Sequence, residues 1–365
     1  MKIAIIGTRG IPASYSGFET SVQETAVRFA KNGYDISVYC RSNHYKEKLD
    51  SYQSVKLIYL PSLKTKFFDT VSHTLLSIFS AAIKRYDAII LYGVGNSIFI
   101  PLLKLFGFPV ISVVDGADWE RAKWGKFAKW FLRFNRWFSV RFSDYYVVDN
   151  ELLAKRYEEE FHKKPVYIPY GANKKSVPER EILEKLGLKE KEYIIFIGRF
   201  VKEKGIEFLI ENFKKTNSGM KLVIVGGNDV DKEYENSLRA LGNEEVIFAG
   251  FLYGPDYEYL LSKSLFYVSC SFLEGTSPSL LSAMSLNGFA LVSDLDENLE
   301  TLKGSCCTFK TGNSQDFIEK ANYLFNHKEM IEAEHIKTQK VVDTYYDWDK
   351  ITNKYIDLLN TFEKK

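Results

Sequence analysis

Cysteine and histidine are scarce in this chain, four and five among 365 residues. Cys40, Cys270, Cys306 and Cys307 show no C-x-x-C spacing and no histidine pair nearby, which argues against a zinc site or a disulfide framework and for a reducing, cytoplasmic compartment. His44, His73, His162, His327 and His335 are scattered and form neither a metal-ligand nor a triad pattern. Long apolar runs are missing too. The nearest, residues 88–114, is cut by Gly93, Gly95, Pro101, Lys104, Gly107 and Pro109 and reads as strand, helix, strand rather than a membrane span. Met1 to Gly7 reads as a buried strand and leaves no expected room for a signal peptide. Glycine and proline are at ordinary levels, so neither wholesale disorder nor a fibrous chain is expected. Net charge is only +2 and no nucleic-acid reader motif is present, so nucleic acid is not an expected partner.

What is present is alternation. Short aliphatic or β-branched runs recur with helical patterns between them, at Ile3 to Gly7, Ile36 to Tyr39, Ala88 to Tyr92, Val110 to Val114 and Tyr145 to Val148. The series restarts after Ile168-Pro169-Tyr170-Gly171-Ala172 at Tyr193 to Ile197, Lys221 to Val225, Val246 to Phe248, Phe266 to Val268 and Ala290 to Val292. The expected architecture is α/β, with two doubly wound Rossmann-like domains whose strand ends face a shared cleft. The expected divisions are residues 1–172, 173–345 and a C-terminal helix at 346–365 packing on the first domain. Charge divides as well. Residues 1–172 hold 24 Lys and Arg against 16 Asp and Glu, whereas the remainder hold 25 against 31. A basic N-terminal half suits an anionic partner such as a membrane surface.

Two glycine loops follow first strands. Gly7-Thr8-Arg9-Gly10-Ile11-Pro12 precedes Gly17-Phe18-Glu19-Thr20 and a helix, but Gly7 and Gly10 are three apart, so the dinucleotide pattern G-x-G-x-x-G is not met and a nicotinamide dehydrogenase is disfavoured. In the second half, Gly198-Arg199-Phe200-Val201-Lys202-Glu203-Lys204-Gly205 places two cations beside a helix start, which suits a diphosphate whose charge grows as it leaves, although ion pairing to Glu203 and Glu207 explains them as well. A further glycine turn, Gly226-Gly227, ends the next strand. The loop Glu274-Gly275-Thr276-Ser277-Pro278 offers a carboxylate for sugar hydroxyls, with Ser277 and Ser279 as candidate helix caps.

The order of these motifs, with Ile168-Pro169-Tyr170-Gly171 between them, resembles glycosyltransferase family 4, the retaining, nucleotide-sugar-dependent GT-B enzymes, over nearly the whole chain. Gly7 to Ala13, Gly17 to Thr20 and Asp115 to Trp124 further resemble a subgroup that contains bacterial rhamnosyltransferases of surface-polysaccharide assembly. The resemblance implies that Arg199 and Lys204 hold the donor diphosphate and that Glu274 faces the donor sugar. Gly17, Gly198, Gly226, Gly227, Gly275, Thr276 and Ser277 would complete the donor site. The family's second glutamate, eight residues after the first, is replaced by Ser282, and its N-domain histidine before an aspartate is replaced by Val114. Asp115, Asp118 and Glu120 are then the polar candidates near the acceptor, with Arg9, Phe18, Glu19 and Arg121 on the same side. The implied reaction is transfer from a nucleoside diphosphate, dTDP-rhamnose among the candidates, to a lipid-linked saccharide, with no metal or other cofactor. Two readings stay open beside it: a catalytically weakened binding partner, suggested by Ser282, and a nucleotide-sugar epimerase. Two D-x-D tripeptides, Asp229-Val230-Asp231 and Asp294-Leu295-Asp296, are short enough to arise by chance.

Arg121 to Arg141 holds seven Lys or Arg, seven Trp or Phe and no acid. Trp130, Phe134, Trp137 and Phe138 recur at helical spacing, as do Lys126, Lys129, Arg133 and Arg136, and these residues are expected to meet the headgroups of an anionic leaflet, making the protein peripheral on the inner face of the cell membrane; a helix buried on one side with solvated cations is the alternative.

Overall fold

The runs of Val, Ile and Leu pair with one another as buried parallel strands, because a strand covered on both faces needs no polar alternation. The computed structural model describes residues 1–13, 17–63, 65, 68–114, 125–173, 176–216, 218–228 and 231–363. The chain divides into two compact units, Met1–Tyr170 with Trp348–Lys365, and Gly171–Asp347.

In the first unit the elements run β1 (Lys2–Ile6), α1 (Gly17–Lys31), β2 (Asp35–Arg41), β3 (Ser51–Tyr52), β4 (Val55–Leu60), α2 (Phe68–Lys84), β5 (Ala88–Tyr92) and α3 (Ile100–Leu105). They continue with β6 (Val110–Val114), α4 (Lys126–Phe142), β7 (Tyr145–Val148), α5 (Glu151–Phe161) and β8 (Val166–Tyr167). The sheet order is β3-β4-β2-β1-β5-β6-β7-β8, parallel except where β3 meets β4. Strand order reverses between β1 and β5, whose registered pairs run from Ile3 opposite Ala88 to Ile6 opposite Leu91. The chain's last helix, α14 (Trp348–Glu363), belongs to this unit. It lies on α1, where Arg28 Nε donates to Asp349 Oδ1 at 2.7 Å and the rings of Phe29 and Tyr355 meet edge to face.

The second unit runs α6 (Ile182–Lys185), β9 (Tyr193–Ile197), α7 (Ile206–Phe213), β10 (Lys221–Val225), α8 (Lys232–Ala240), β11 (Val246–Gly250), α9 (Gly254–Lys263) and β12 (Tyr267–Ser269). It ends with α10 (Pro278–Leu286), β13 (Ala290–Ser293), α11 (Asp296–Leu302), β14 (Cys307–Phe309), α12 (Ser314–Asn326) and α13 (Lys328–Tyr345). Its six strands are all parallel in the order β11-β10-β9-β12-β13-β14. This is the doubly wound order with a reversal between β9 and β12, the position at which such sheets receive ligands. Phe196, Phe200, Phe213 and Phe266 are fully buried in the core beneath it.

Every expected strand is present; β3, β4, β8 and β14 were not anticipated. All four are edge or next-to-edge strands, short or only partly buried, so they lack the continuous apolar signature of the centre. No helix among the described residues is long and apolar enough to cross a membrane.

On α2 the buried face carries His73, Thr74 and Ser77 beside Ile78 and Ala81. His73 is fully buried and neither ring nitrogen makes a well-formed hydrogen bond among the described residues. Burial, helped by the nearby Arg41 guanidinium, pushes its pKa down to about 4, against weaker opposing effects from the Cys40 backbone and Asp69. The folded chain thus holds this imidazole neutral, whereas the unfolded chain protonates it below about pH 6.5. Its contribution is present above that pH and is lost as pH falls toward 4, by about 3 kcal/mol in all. Urea melts from pH 7 to pH 4 are expected to show this decline, and His73→Leu is expected to flatten it by a similar amount. An unchanged slope in that variant would overturn the assignment.

Candidate functional site

Three strand ends meet at the reversal point of the second unit. Beyond β9 the chain is pinned at each step: the Gly198 amide donates to Val225 O at 3.0 Å and the Phe200 amide to Gly227 O at 3.0 Å. Asn228 Nδ2 returns a bond to Phe200 O at 2.7 Å. With the Phe200 ring sunk in the core, the preceding Arg199 is held at the sheet edge. Gly226 and Gly205 make this convergence possible. A Cβ on Gly226 (φ +132°) would lie 1.9 Å from the Gly198 carbonyl oxygen, and one on Gly205 (φ +62°) would lie 2.0 Å from that of Cys270. Only glycine permits such approach at these dihedrals. Gly205 then opens α7, and the Phe272 amide ties the β12 loop to Glu203 O at 2.8 Å.

These contacts bring Lys204 and Glu274 together across seventy residues. Lys204 Nζ donates to Glu274 Oε1, and Ser271 Oγ donates to the same oxygen at 2.6 Å. The Glu274 side chain is only 7% exposed, which a carboxylate tolerates when it is paired and hydrogen-bonded. Ser271 is itself fixed, with its Oγ 3.1 Å from Ser269 Oγ and its carbonyl accepting from Ser293 Oγ at 2.7 Å. Arg199 is half-buried and makes no side-chain hydrogen bond or ion pair among the described residues, so pairing to Glu203 or Glu207 does not account for it. Ser277 caps α10, accepting from the Leu280 amide, with Pro278 in the first turn. Ser279 does not cap; its hydroxyl shares hydrogen bonds with Tyr267 and Ser277. Gly275 and Thr276 lie half-buried between Glu274 and this cap. Ser282, on α10, is hydrogen-bonded to the phenol of Tyr257, whose pKa is pushed up to about 12 chiefly by burial.

Ser271 and Tyr257 were not foreseen, since nothing local distinguishes a serine two residues beyond a strand or a tyrosine within a helix. Glu235 was missed in the same way. Its carboxylate accepts from the Asn228 amide at 3.2 Å and so braces the Gly226-Gly227 turn. Burial pushes its pKa up, but Arg239, Lys232 and that amide together lower it to about 2. Of the two D-x-D tripeptides, Asp231 caps α8 and Asp294 accepts two bonds from Thr311, while Asp229 lies outside the described residues.

In the first unit, Arg9, Gly17, Phe18 and Glu19 gather at the β1/β5 reversal. Glu19 is buried and accepts from the Arg9 amide at 3.1 Å, and Phe18 packs edge to face on Tyr92. Gly17 is the first residue of α1. Asp115, Asp118, Glu120 and Arg121 lie outside the described residues. On α4, Lys126, Trp130, Arg133 and Trp137 are exposed and Lys129 is half-buried. Arg136 corrects the expected stripe: it is buried, bidentate to Glu160 at 2.6 and 2.8 Å, and stacked over Tyr157 and Phe161. Helical rotation carries it to the inner face, where it is a structural ion pair rather than an outward cation.

Residues 178–360 match the family Glycosyl transferases group 1, and residues 1–173 match a domain of unknown function (DUF1972). The O-antigen chain mannosyltransferase C of Escherichia coli is 22% identical over 374 residues, spanning 99% of this chain and 98% of its own. Among solved structures, sucrose-phosphate synthase from Thermosynechococcus elongatus is similar with a TM-score of 0.82 at 18% identity, covering 100% of this chain and 99% of that one. Anabaena HepE, in complex with UDP-glucose, is similar with a TM-score of 0.79 at 15% identity, covering 99% and 100%. The fold is that of these proteins, two Rossmann-like domains of the GT-B class, and the chain belongs to the glycosyl transferases of group 1.

Proposed function

We propose that this glycosyltransferase moves a hexosyl group from a nucleoside diphosphate to a lipid-linked saccharide, with retention at the anomeric carbon and without a metal. The observation that carries this reading is Arg199, a half-buried guanidinium with no acidic partner among the described residues, beside a Lys204–Glu274 pair at the reversal point of a doubly wound sheet. A cation held there without a counter-charge suits a diphosphate, and Lys204 adds a second. Glu274 Oε1 is taken by Lys204 and Ser271, and Oε2 makes no hydrogen bond among the described residues, which suits a sugar hydroxyl donor. The solved HepE complex with UDP-glucose supports a nucleotide-sugar donor by analogy of fold.

In the proposed reaction the bond from the anomeric carbon to the diphosphate oxygen breaks as that carbon bonds to the acceptor oxygen on the same face. The acceptor's proton passes to the departing phosphate oxygen, so no side-chain base is required. Arg199, Lys204 and backbone amides at the glycine turns stabilise the charge that develops on the diphosphate. Residues 1–172 would bind the acceptor, with Arg9, Phe18, Glu19, Asp115, Asp118, Glu120 and Arg121 on that side, and residues 173–345 the donor. L-rhamnose carried on dTDP is the donor favoured by the motifs of the first unit. The outward residues of α4 would hold the enzyme to the anionic inner leaflet where such an acceptor lies.

A thermal-shift series with UDP, GDP, dTDP and their sugar conjugates is expected to reveal one stabilising nucleotide, by about 2.7 kcal/mol at a hundred times its Kd. Arg199→Ala is expected to weaken that binding by about 1–3 kcal/mol, as loss of a charge-assisted bond does. No shift with any nucleotide for folded protein would favour the weakened binding partner. A sugar altered without an acceptor would reveal an epimerase. Glu274→Gln leaves Lys204 free for the diphosphate, so nucleotide binding should persist while transfer falls by about tenfold or more. Transfer is expected to survive excess chelator; activity lost and then restored by Mg²⁺ or Mn²⁺ would overturn the metal-free mechanism.

A further inference from the structure

Two helices of the first unit bury several polar side chains and leave their largest apolar ones outside. The inner face of α4 holds Val140 together with Asn135, Arg136 and Ser139, and the three polar residues are each partnered: Asn135 Oδ1 accepts from the Ile98 amide at 2.9 Å, Arg136 holds Glu160, and Ser139 Oγ lies 2.8 Å from Ser112 Oγ. Its outer face carries Phe127, Trp130, Phe134 and Trp137, all exposed. These side chains cover one another, with Trp130 stacked on Phe134 at 5.5 Å and Phe127 beside Trp130 at 5.9 Å. On α2 the polar His73, Thr74 and Ser77 face inward with Ile78 and Ala81, while Leu76, Phe79 and Ile83 face outward at three- and four-residue spacing, Ile83 83% exposed. A surface helix ordinarily buries its apolar stripe and exposes its polar one.

The end of α3 joins the two faces. Phe106, just past α3, contacts Phe79 ring to ring at 6.0 Å, and α3 packs against α4. Leu105 on the same end is 81% exposed. Outward apolar residues thus lie on α2, at the end of α3 and on α4, over more than the single helix that the sequence singled out. Charge selects what covers it. Lys126, Arg133 and Arg141 alternate with the aromatics on the outer stripe of α4, and residues 121–141 contain no acid. A second copy docked by two-fold symmetry would press these cations onto their own equivalents. A bilayer with anionic headgroups satisfies both components, apolar rings at the acyl boundary and cations at the phosphates.

We infer that α2, the end of α3 and the outer stripe of α4 form one lipid-facing platform, with Leu76, Phe79 and Ile83 inserting beside Trp130 and Trp137. The inference deepens the membrane attachment proposed above and is independent of the donor chemistry. It is tested by co-flotation of the full chain with phosphatidylcholine vesicles with and without phosphatidylglycerol, using wild type, the pair Phe79→Ser with Ile83→Ser, and the pair Trp130→Ser with Trp137→Ser. All four positions are exposed, so each pair is expected to fold, as thermal melts and the nucleotide shift would verify. Wild type is expected to float only with the anionic vesicles, and each pair to lower the bound fraction about tenfold. Undiminished binding by the α2 pair would overturn the platform and leave α4 acting alone. Failure of wild type to bind would overturn the platform and the membrane attachment together, while the nucleotide shift still tests sugar transfer separately. A concentration-dependent dimer in buffer that the α2 pair abolishes would give the face to a second copy and overturn the lipid assignment.

Discussion

Backbone touching backbone is the constraint on which the architecture of the second unit's strand ends rests. Gly205 lies against the carbonyl of Cys270 and Gly226 against that of Gly198, at distances that leave no room for a Cβ. Because of these two contacts, the loops after β9, β10 and β12 close into one edge instead of splaying apart. What those loops carry is then placed by hydrogen bonds that repeat along the edge, Phe200 to Gly227, Asn228 to Phe200 and Phe272 to Glu203. The glycines set the distances between the side chains that these loops carry.

The charge arrangement follows from that closure. Glu274 is removed from water almost completely, and the cost of burying it is offset by Lys204 and by a serine that is itself held in a buried chain of hydroxyls. Arg199, five residues before Lys204, has no acidic partner among the described residues. The edge therefore carries one neutralised pair and one uncompensated cation. Such an arrangement favours an anion over a neutral sugar, and it does so through fixed dipoles and charges that need no rearrangement when charge develops.

In the first unit, patterning and packing disagree, and packing decides. On α4 the interleaved cations and aromatics were legible as a stripe, but spacing alone placed Arg136 within it. Rotation of about 100° per residue turns that side chain inward, toward a glutamate 24 residues on that no local pattern marks. On α2 the large apolar side chains of Leu76, Phe79 and Ile83 lie outward. That His73, Thr74 and Ser77 share the buried face with Ile78 and Ala81 emerges only from the packing, where Asn96, in the short 3-10 turn after β5, supplies Thr74 with a partner at 2.9 Å.

The sequence by itself determined the two parallel sheets, the restart of the strand series after residue 172, the glycine turns and the identities of Arg199, Lys204 and Glu274. Each of these is written in a few consecutive residues, where apolar runs, turn glycines and cations announce themselves locally. Tertiary structure alone decided the edge strands, the joining of Lys204 to Glu274, the support from Ser271 and Glu235, the Tyr257–Ser282 contact and the buried polar side chains of α2 and α4. These depend on which distant groups meet after the strands are ordered, and a side chain's partner across seventy residues leaves no trace in the spacing of its own neighbours.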